Sequence, residues 1–459
     1  MALVAAPAIG AECLLVEFCA RQILPNVKFR TTIIEYVDIT GTGAGHSLSR
    51  LNWREAFSAI YDQAGAGVIY ALDRNDELTG MLGTDDQAVM EEFIANGYHR
   101  EAVAIAGAQG AHIALWGSVL EDKGDILFQP SLSVFPGDSD WLDLSLSGEN
   151  GVISELTLDI PAWRIDFQPD LHERAALFAR PLLTRCGLSS QCPDGVDVRA
   201  GPSNKAEIVG KLPVGAAIAV EDITEQWFLL THAERQSYLN LYHTEMIPQT
   251  VTTSRAGQLW VSPDGGAERS TDVRAGEVLD VVGAQRLGGR LWLELRSATG
   301  SGWITDEGWI PHYSHPAIHL VNGFTRFGLG NFRGAVRAFR AFTDQAKPED
   351  NVALSIAHQM AALSLVQAAE AADNLEEAVA HLARAQQFTP FDPVPFAIEG
   401  AVRLQLFGET KTGVQALNHA IELDGADPVL TGLLRQLCSG TFPGQDRLKC
   451  DPVADASGQ

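Results

Sequence analysis

Six cysteines are the residues whose spacing most directly suggests chemistry in this chain of 459 residues. They form three local pairs, which are Cys13 with Cys19, Cys186 with Cys192, and Cys438 with Cys450. Pairs that close short loops are typical of disulfides formed in an oxidising compartment. Two alternatives stay open. One is reduced, buried thiols, and the other is zinc ligation, although zinc-binding cysteines are usually separated by about two to four residues.

Two further groups have the residue types of metal ligands. His312, His315 and His319 are spaced like zinc ligands, but Pro316 prevents a common helical face, so we interpret them as part of a domain linker. Asp138, Asp140 and Asp143 form an acidic cluster that could bind calcium, but it lacks the glycine and the bidentate glutamate of a calcium loop. We therefore predict no metal site and no cofactor.

The glycine-rich turn at residues 41–47 follows a predicted strand and precedes a predicted helix, which is the context of a nucleotide-binding loop. However, the third glycine of a dinucleotide fingerprint falls at His46, and no Lys-Ser/Thr pair follows. The favoured interpretation is a flexible strand-to-helix connection. A hydrolase that uses His46 and Ser47 is the enzymatic alternative, although no Gly-x-Ser-x-Gly elbow is present. We predict that the chain is not an enzyme.

Composition restricts the partners. The chain has 46% hydrophobic and 20% charged residues and a net charge of −25 at pH 7, which indicates an acidic, folded, multi-domain protein. Nucleic acid and anionic bilayers are excluded as main partners because their phosphates require clustered Lys and Arg. No apolar window near the start approaches the ~20 residues that a membrane-spanning helix needs, so we predict no transmembrane segment.

The two ends of the chain differ from the regions between them. Residues 1–11 are apolar and end in Ile9-Gly10-Ala11, which we interpret as the last part of a secretory signal that lacks its basic region. An ordinary apolar N-terminus is the alternative. Together with the cysteine pairs, this interpretation predicts an exported and most simply periplasmic protein. Residues 438–459 are predicted to be a tail.

Residues 12–185 alternate between strand and helix patterns, which predicts an α/β domain. Asp38–Gly41 and Gly110–Val119 resemble segments of the periplasmic α/β domain shared by the curli-secretion lipoprotein family and the amino-terminal domain of the Tol-system propeller protein. The resemblance implies an envelope-type domain, and without a lipidated cysteine it does not imply pore formation. Gly117 and Ser118 are expected to permit close approach of a neighbouring backbone.

Short strands separated by Gly and Pro fill residues 193–250. Val196–Ser203 resembles the opening signature of bacterial SH3-like domains. A second, imperfect copy covers residues 255–312, where we align Leu259–Pro263 with Val196–Ala200. The resemblance implies two small SH3-like β-barrels, a class of domain that binds cell-wall peptides or proteins.

Aromatic residues of these two copies are the candidate lining of a ligand groove. They are Trp227, Trp260, Trp292, Trp303 and Trp309. Packing in the core of each barrel is the alternative for every one of them.

Residues 316–437 are rich in alanine and have helical periodicity. A small residue recurs at Ala335, Ala378 and Gly413, which resembles the helix contacts of tetratricopeptide repeats. The resemblance implies a concave surface for a peptide or a partner protein. The alternative is a helical cap that only packs on the barrels.

The sequence therefore predicts a multi-domain fold: an α/β N-terminal domain, two SH3-like β-barrels and C-terminal tetratricopeptide-like helices. The corresponding function is that of an exported, non-catalytic adaptor or scaffold of the cell envelope, which binds protein or peptide partners. A cell-wall-binding protein that recognises peptidoglycan and a degenerate hydrolase are the two alternatives.

Overall fold

The computed structural model describes residues 28–38, 43–60, 63, 66–71, 99–108, 110–122, 125–135, 156–159, 163–165, 181–186, 192, 194–223, 227–240, 243–263, 268–287, 290–305, 308–368, 372–425, 427, 430–431, 434, 437 and 448. Several residues that the sequence singled out lie outside this part. They are four cysteines of the predicted disulfides (Cys13, Cys19, Cys438 and Cys450), the aspartates at 138, 140 and 143, and residues 1–11. Within it, no helix is long and apolar enough to cross a membrane.

Seven strands form the N-terminal sheet. They are β1 (Phe29–Ile34), β2 (Val37–Asp38), β3 (Ala66–Ala71), β4 (Ile113–Asp122), β5 (Asp125–Val134), β6 (Leu156–Asp159) and β7 (Trp163–Ile165). The order is β3-β1-β4-β5-β6, with β2 beside β4 and β7 beside β5. β1 is parallel to both neighbours, whereas β5 is antiparallel to β4, β6 and β7. A mixed sheet of this kind agrees with the predicted α/β class.

Gly117 lies where β4 and β5 approach each other closely. A Cβ atom at this position would stand 2.3 Å from the carbonyl oxygen of Gln129. The close backbone approach expected at Gly117 is therefore observed, and any side chain there would separate the two strands.

Helices cover both faces of the N-terminal sheet. α1 (Ala44–Ala59) packs on the face that carries Ile33, Ile113 and Leu115, whereas α2 (His99–Ala108) packs on the opposite face, against Ala114 and Trp116. Successive strand residues point to opposite faces, which is why Leu115 and Trp116 belong to different cores.

The C-terminal helices form three successive pairs. They are α3 (Ala317–Gly328) with α4 (Phe332–Gln345), α5 (Asn351–Gln367) with α6 (Ala372–Phe388), and α7 (Val394–Val402) with α8 (Thr410–Asp424). A turn of π-helix at Arg403–Phe407 follows α7. The small residues that the sequence singled out lie in the second helix of each pair. In the third pair, a Cβ on Gly413 would stand 2.9 Å from the carbonyl oxygen of Gly400, so the two backbones nearly touch.

Helix α3 packs directly on the N-terminal sheet, beside α1. Ile318, Leu320, Val321 and Phe324 are all completely buried, because α3 lies between the sheet on one side and α4 on the other. Ten of the twelve residues of α3 are buried, which requires such a position. The predicted boundary at residue 316 therefore separates elements that share one hydrophobic core.

Polar contacts fix this junction. The buried carboxylate of Glu55 on α1 accepts hydrogen bonds from the backbone N–H and the hydroxyl of Ser314. Arg326 donates to the carbonyl oxygen of Ala59 at 3.2 Å. Because these partners lie more than 250 residues apart in sequence, the N-terminal domain and the first helix pair form one structural body.

Between these two parts lie two β units. Unit 1 comprises β8 (Leu182–Thr184), β9 (Val196–Arg199), β10 (Ile208–Leu212), β11 (Ala217–Ile218), β12 (Asp222–Ile223), β13 (Trp227–His232), β14 (Arg235–Asn240) and β15 (Thr244–Met246). Unit 2 comprises β16 (Thr250–Thr253), β17 (Gly257–Trp260), β18 (Arg269–Val273), β19 (Val278–Leu287), β20 (Arg290–Ser297), β21 (Gly300–Thr305) and β22 (Trp309–His312).

The two units have the same strand arrangement. In unit 2 the order is β18-β17-β21-β20-β19-β16-β22. In unit 1 the corresponding order is split into β10-β9-β14-β13-β12 and β11-β8-β15, because the long strand β19 corresponds to two short strands, β11 and β12. Both units use a strand that precedes the predicted barrel limits: β8 lies before residue 193 and β16 before residue 255.

The strand pairing shifts the sequence alignment of the two units by two residues. Val196 pairs with Leu212 as Gly257 pairs with Val273, so Leu259 corresponds to Val198 rather than to Val196. Both Val198 and Leu259 are completely buried. A two-residue shift keeps every side chain on the same face of a strand, which is why the apolar pattern alone did not distinguish the two alignments.

A buried threonine fixes the same turn in each unit. In unit 1 the hydroxyl of Thr184 donates to the carbonyl oxygen of Pro213 at 2.5 Å and accepts from the N–H of Ala216 at 2.9 Å. The N–H of Gly215 donates to the Thr184 carbonyl oxygen at 2.7 Å. Gly215 has φ +83°, a left-handed conformation that favours glycine.

Unit 2 repeats this arrangement at Thr253. Its hydroxyl donates to the carbonyl oxygen of Arg274 and accepts from the N–H of Glu277 at 3.1 Å. Gly276, with φ +77°, donates its N–H to the Thr253 carbonyl oxygen at 2.8 Å. The repeated motif shows that the units share local structure as well as strand order.

Candidate functional site

The outer face of unit 2 carries three of the predicted groove tryptophans. On β20, Leu291, Leu293 and Leu295 face the core, so the alternating positions Trp292 and Glu294 face outward. Trp303 on β21 pairs with Glu294, and Trp260 on β17 pairs with Trp303. Paired residues lie on the same face of a sheet, so the three tryptophans form one patch, which we call the tryptophan face.

The tryptophan face is tightly packed. The ring centroids of Trp260 and Trp292 are 6.4 Å apart, with an interplanar angle of 76°, an edge-to-face contact. The guanidinium of Arg269 lies over the ring of Trp260, 3.0 Å from its centroid. Trp292 is buried, whereas Trp260 and Trp303 are half-buried and keep surface available to a partner.

The corresponding face of unit 1 has different chemistry. Four positions of unit 1 correspond to positions of unit 2: Arg199 to Trp260, Trp227 to Trp292, Leu229 to Glu294, and Tyr238 to Trp303. Arg199 donates to the carbonyl oxygen of Ala206 at 2.8 Å and lies 3.6 Å from the carboxylate of Asp197. Trp227 thus occupies in unit 1 the position that Trp292 has in unit 2. It does not belong to the tryptophan face, and the face of unit 1 on which it lies is partly polar.

Trp309 lies apart from the tryptophan face. It is on β22, where it pairs with Thr253, and its ring packs against the core of unit 2. Its indole N–H is buried, with no hydrogen-bond partner among the described residues. Trp309 therefore packs in the core of unit 2, as the alternative to a groove position expected.

Cys186 and Cys192 are neighbours in the connection between β8 and β9. In the structure both are free thiols, and both residues are half-buried. Burial, followed by the contact with Cys192, raises the pKa of the Cys186 thiol. The two thiols therefore influence each other, and the predicted disulfide stays a prediction.

The three clustered histidines have separate environments. His312 Nε2 is 2.5 Å from the hydroxyl of Thr252. His315 Nδ1 accepts from the N–H of Ala317 at the start of α3, and His319 lies one turn into that helix, 4.7 Å from the Tyr313 ring. Burial lowers the pKa of both His315 and His319 to about 3. Within the described ranges, no group of three His, Cys, Asp or Glu side chains could hold a metal ion.

At the start of α1, the structure pairs His46 with Glu35. The Nδ1–H of His46 donates to the Glu35 carboxylate at 2.6 Å, and the His46 side chain is 45% exposed. A carboxylate-oriented histidine can act as a general base. The sequence did not suggest this pair, because Glu35 lies eleven positions before His46, in the connection between β1 and β2.

The glycine-rich turn has a packing role. A Cβ on Gly45 would stand 2.5 Å from the carbonyl oxygen of Tyr36, and the Gly45 N–H donates to Asp38 at 3.2 Å. Gly43 caps α1 with φ +78°. Gly45 is therefore explained by the close contact between α1 and the β1–β2 connection, and Gly43 by its left-handed conformation.

Comparisons with known proteins add little. No family model matches the chain, and no curated protein matches it. Among solved structures, NlpC2 from Trichomonas vaginalis is similar at 9% identity, over 29% of this chain and 48% of its own, with a TM-score of 0.16. The chain thus spans about half the length of that protein, and a likeness at this TM-score carries no argument about fold or function.

Proposed function

We propose that this chain is a non-catalytic adaptor or scaffold that binds a protein partner through the tryptophan face of unit 2. The observation that carries the proposal is the gathering of Trp260, Trp292 and Trp303 on one outer face, with Arg269 stacked on it. Tryptophan and arginine are the residues most enriched where protein interfaces derive their binding energy.

Packing elsewhere supports the choice of this face. The resemblance to tetratricopeptide repeats implied that the helices would bind a peptide, but α3 and α5 pack against the N-terminal sheet of the same chain. Much of the helical surface is therefore occupied by the chain itself. The resemblances to SH3-like and envelope domains, together with the adjacent Cys186 and Cys192, support an exported, periplasmic location.

Site-specific crosslinking tests the proposal. A photo-crosslinking amino acid at Val261, which is 46% exposed beside Trp260, is expected to capture one discrete protein in intact cells. The matched control is Val214 of unit 1, which is 45% exposed. Capture from position 261 that disappears with Trp303→Ala supports the proposal. Equal capture from both positions, or none, contradicts it.

Peptidoglycan binding is separated by a second assay. If the tryptophan face recognises the wall, the full chain sediments with purified sacculi and Trp303→Ala does not. Sedimentation of that kind, without a protein crosslink, would replace the adaptor by the cell-wall-binding alternative.

A hydrolase is the second candidate, because the structure joins His46 to Glu35. Its test is turnover of ester, amide and phosphoester reporter substrates by the full chain and by His46→Ala. Turnover that depends on His46, with crosslinking retained, would show that the chain is an enzyme.

A further inference from the structure

Two histidines of neighbouring helices meet in the interior of the helical region. His358 on α5 and His381 on α6 have their Nδ1 atoms 2.8 Å apart. Only 3% of His358 and 7% of His381 is exposed. The ring of His358 also stacks on Phe388, with centroids 5.8 Å apart and an interplanar angle of 12°. The contact is therefore a direct, nearly dry hydrogen bond between two imidazoles.

Arg340 on α4 determines where the protons of this pair lie. Its Nε–H, which can only donate, points to Nε2 of His381 at 3.5 Å. Neutral His381 then carries its proton on Nδ1 and donates it to Nδ1 of His358. Neutral His358 consequently carries its own proton on Nε2. Both basic nitrogens of the pair thus accept hydrogen bonds.

Charged groups surround the pair on two sides. From α4, the guanidinium of Arg340 reaches His381, and from α6 the charge of Arg384 acts on both rings, while Asp344 of α4 interacts with these two arginines. Arg340 is ion-paired with Glu377. On α5 itself, His358 is the one ionisable side chain. On α7, the carboxylate of Glu399 is engaged by Gln386 and Arg403. Two arginines therefore stand near the histidines, and both disfavour an added positive charge.

An added proton cannot preserve both contacts. On Nδ1 of His358 it faces the Nδ1–H of His381, unless the His381 proton moves to Nε2, where it faces the Nε–H of Arg340. Protonation therefore removes at least one of the two hydrogen bonds in the closed helices. Burial, and then Arg384, lowers the pKa of His358 to about 4. Burial, and then His358, Arg340 and Arg384, lowers the pKa of His381 to about 3.

We infer that the His358–His381 pair is an acid-sensitive lock that holds α5 against α6. Above pH 6.5 both rings are neutral in the closed and the open helices, so the lock is intact. As the pH falls below 6.5, the open form takes up protons that the closed form excludes, and opening becomes more favourable. The direction follows because the closed state has the lower pKa values. This inference is independent of the partner of unit 2.

Hydrogen exchange of the full chain tests the lock. At pH 5.0 relative to pH 7.5, and after correction for intrinsic exchange rates, the opening constant of residues 351–388 is expected to rise by at least about 30-fold, the effect of one histidine whose pKa falls from 6.5 to about 4. The double variant His358→Asn/His381→Asn keeps a donor and an acceptor but does not titrate, so its opening constant is expected to stay constant.

Two further variants make the test decisive. His319→Asn removes another deeply buried histidine, in α3, and is expected to retain the acid response of residues 351–388. If the asparagine pair fails to fold at pH 7.5, His358→Leu/His381→Leu replaces it with the same expectation. Equal protection of the wild type at both pH values, or an undiminished acid response in the folded double variant, overturns the inference.

Discussion

Strands β13 and β14 of unit 1 pair in the same register as β20 and β21 of unit 2, yet they present different outer faces. Where unit 2 has Trp260 beneath Arg269, unit 1 has Arg199 paired with Ile208. The strand order and the threonine turn are the same in both units. The shared features are those that the fold requires, and the outer-face residues that differ are the ones on which the proposed binding depends.

The two units also differ in what they pack against. Phe228 of unit 1 belongs to the core shared with α1 and α3, whereas its equivalent in unit 2, Leu293, belongs to a separate core. Arg286 of unit 2 makes a bidentate ion pair with the buried Glu245 of unit 1, at 2.6 and 2.8 Å. Unit 1 is thus anchored to the N-terminal domain and carries unit 2, on whose tryptophan face Trp260 and Trp303 are half-buried.

Truncation of the two equivalent core residues should give the largest effects. Phe228→Ala is expected to lower the free energy of unfolding by about 3–5 kcal/mol and Leu293→Ala by about 2–5 kcal/mol, because each leaves a cavity. Hydrogen exchange should show increased opening of α1 with the first variant only. Loosening of α1 by Leu293→Ala would contradict the difference in anchoring.

The connection from β8 to β9 contains the two cysteines, whereas in unit 2 only residues 254–256 separate the equivalent strands. A bond between Cys186 and Cys192 closes a short loop, so it should contribute ~2 kcal/mol. Under oxidising conditions, Cys186→Ser/Cys192→Ser is expected to lose this stability. Under reducing conditions the wild type and the variant should unfold alike. Free thiols in protein recovered from its native compartment would contradict both the bond and the export proposal.

The threonine turns should behave identically in the two units. Thr184→Val and Thr253→Val keep the side-chain volume but remove a buried hydroxyl that both donates and accepts. Each should therefore cost about 1–2 kcal/mol in urea unfolding. A large effect in one unit and none in the other would break the structural equivalence.

The sequence predicted features that depend on local pattern. The small residues Ala335, Ala378 and Gly413 and the close approach at Gly117 follow from steric requirements that a residue type alone can indicate. The packing of α3 on the N-terminal sheet was not predicted, because the periodicity of α3 shows which face is apolar but not what that face packs against. Trp303 and Trp309 likewise lie on different strands with different pairing partners, which the sequence did not determine.

The tryptophan face is tested most directly by giving unit 2 the residues of unit 1. The double variant Trp260→Arg/Arg269→Ile places the Arg199 and Ile208 types at their equivalent positions in unit 2. We predict that the variant folds, with its free energy of unfolding lowered by about 1–3 kcal/mol, because the contact of Trp260 with Trp292 and the stacking of Arg269 are lost. Binding of the purified protein captured at position 261, measured by calorimetry, should weaken at least about 10-fold, since interface tryptophans commonly contribute more than 1.4 kcal/mol. Unchanged affinity in this folded variant would contradict the account.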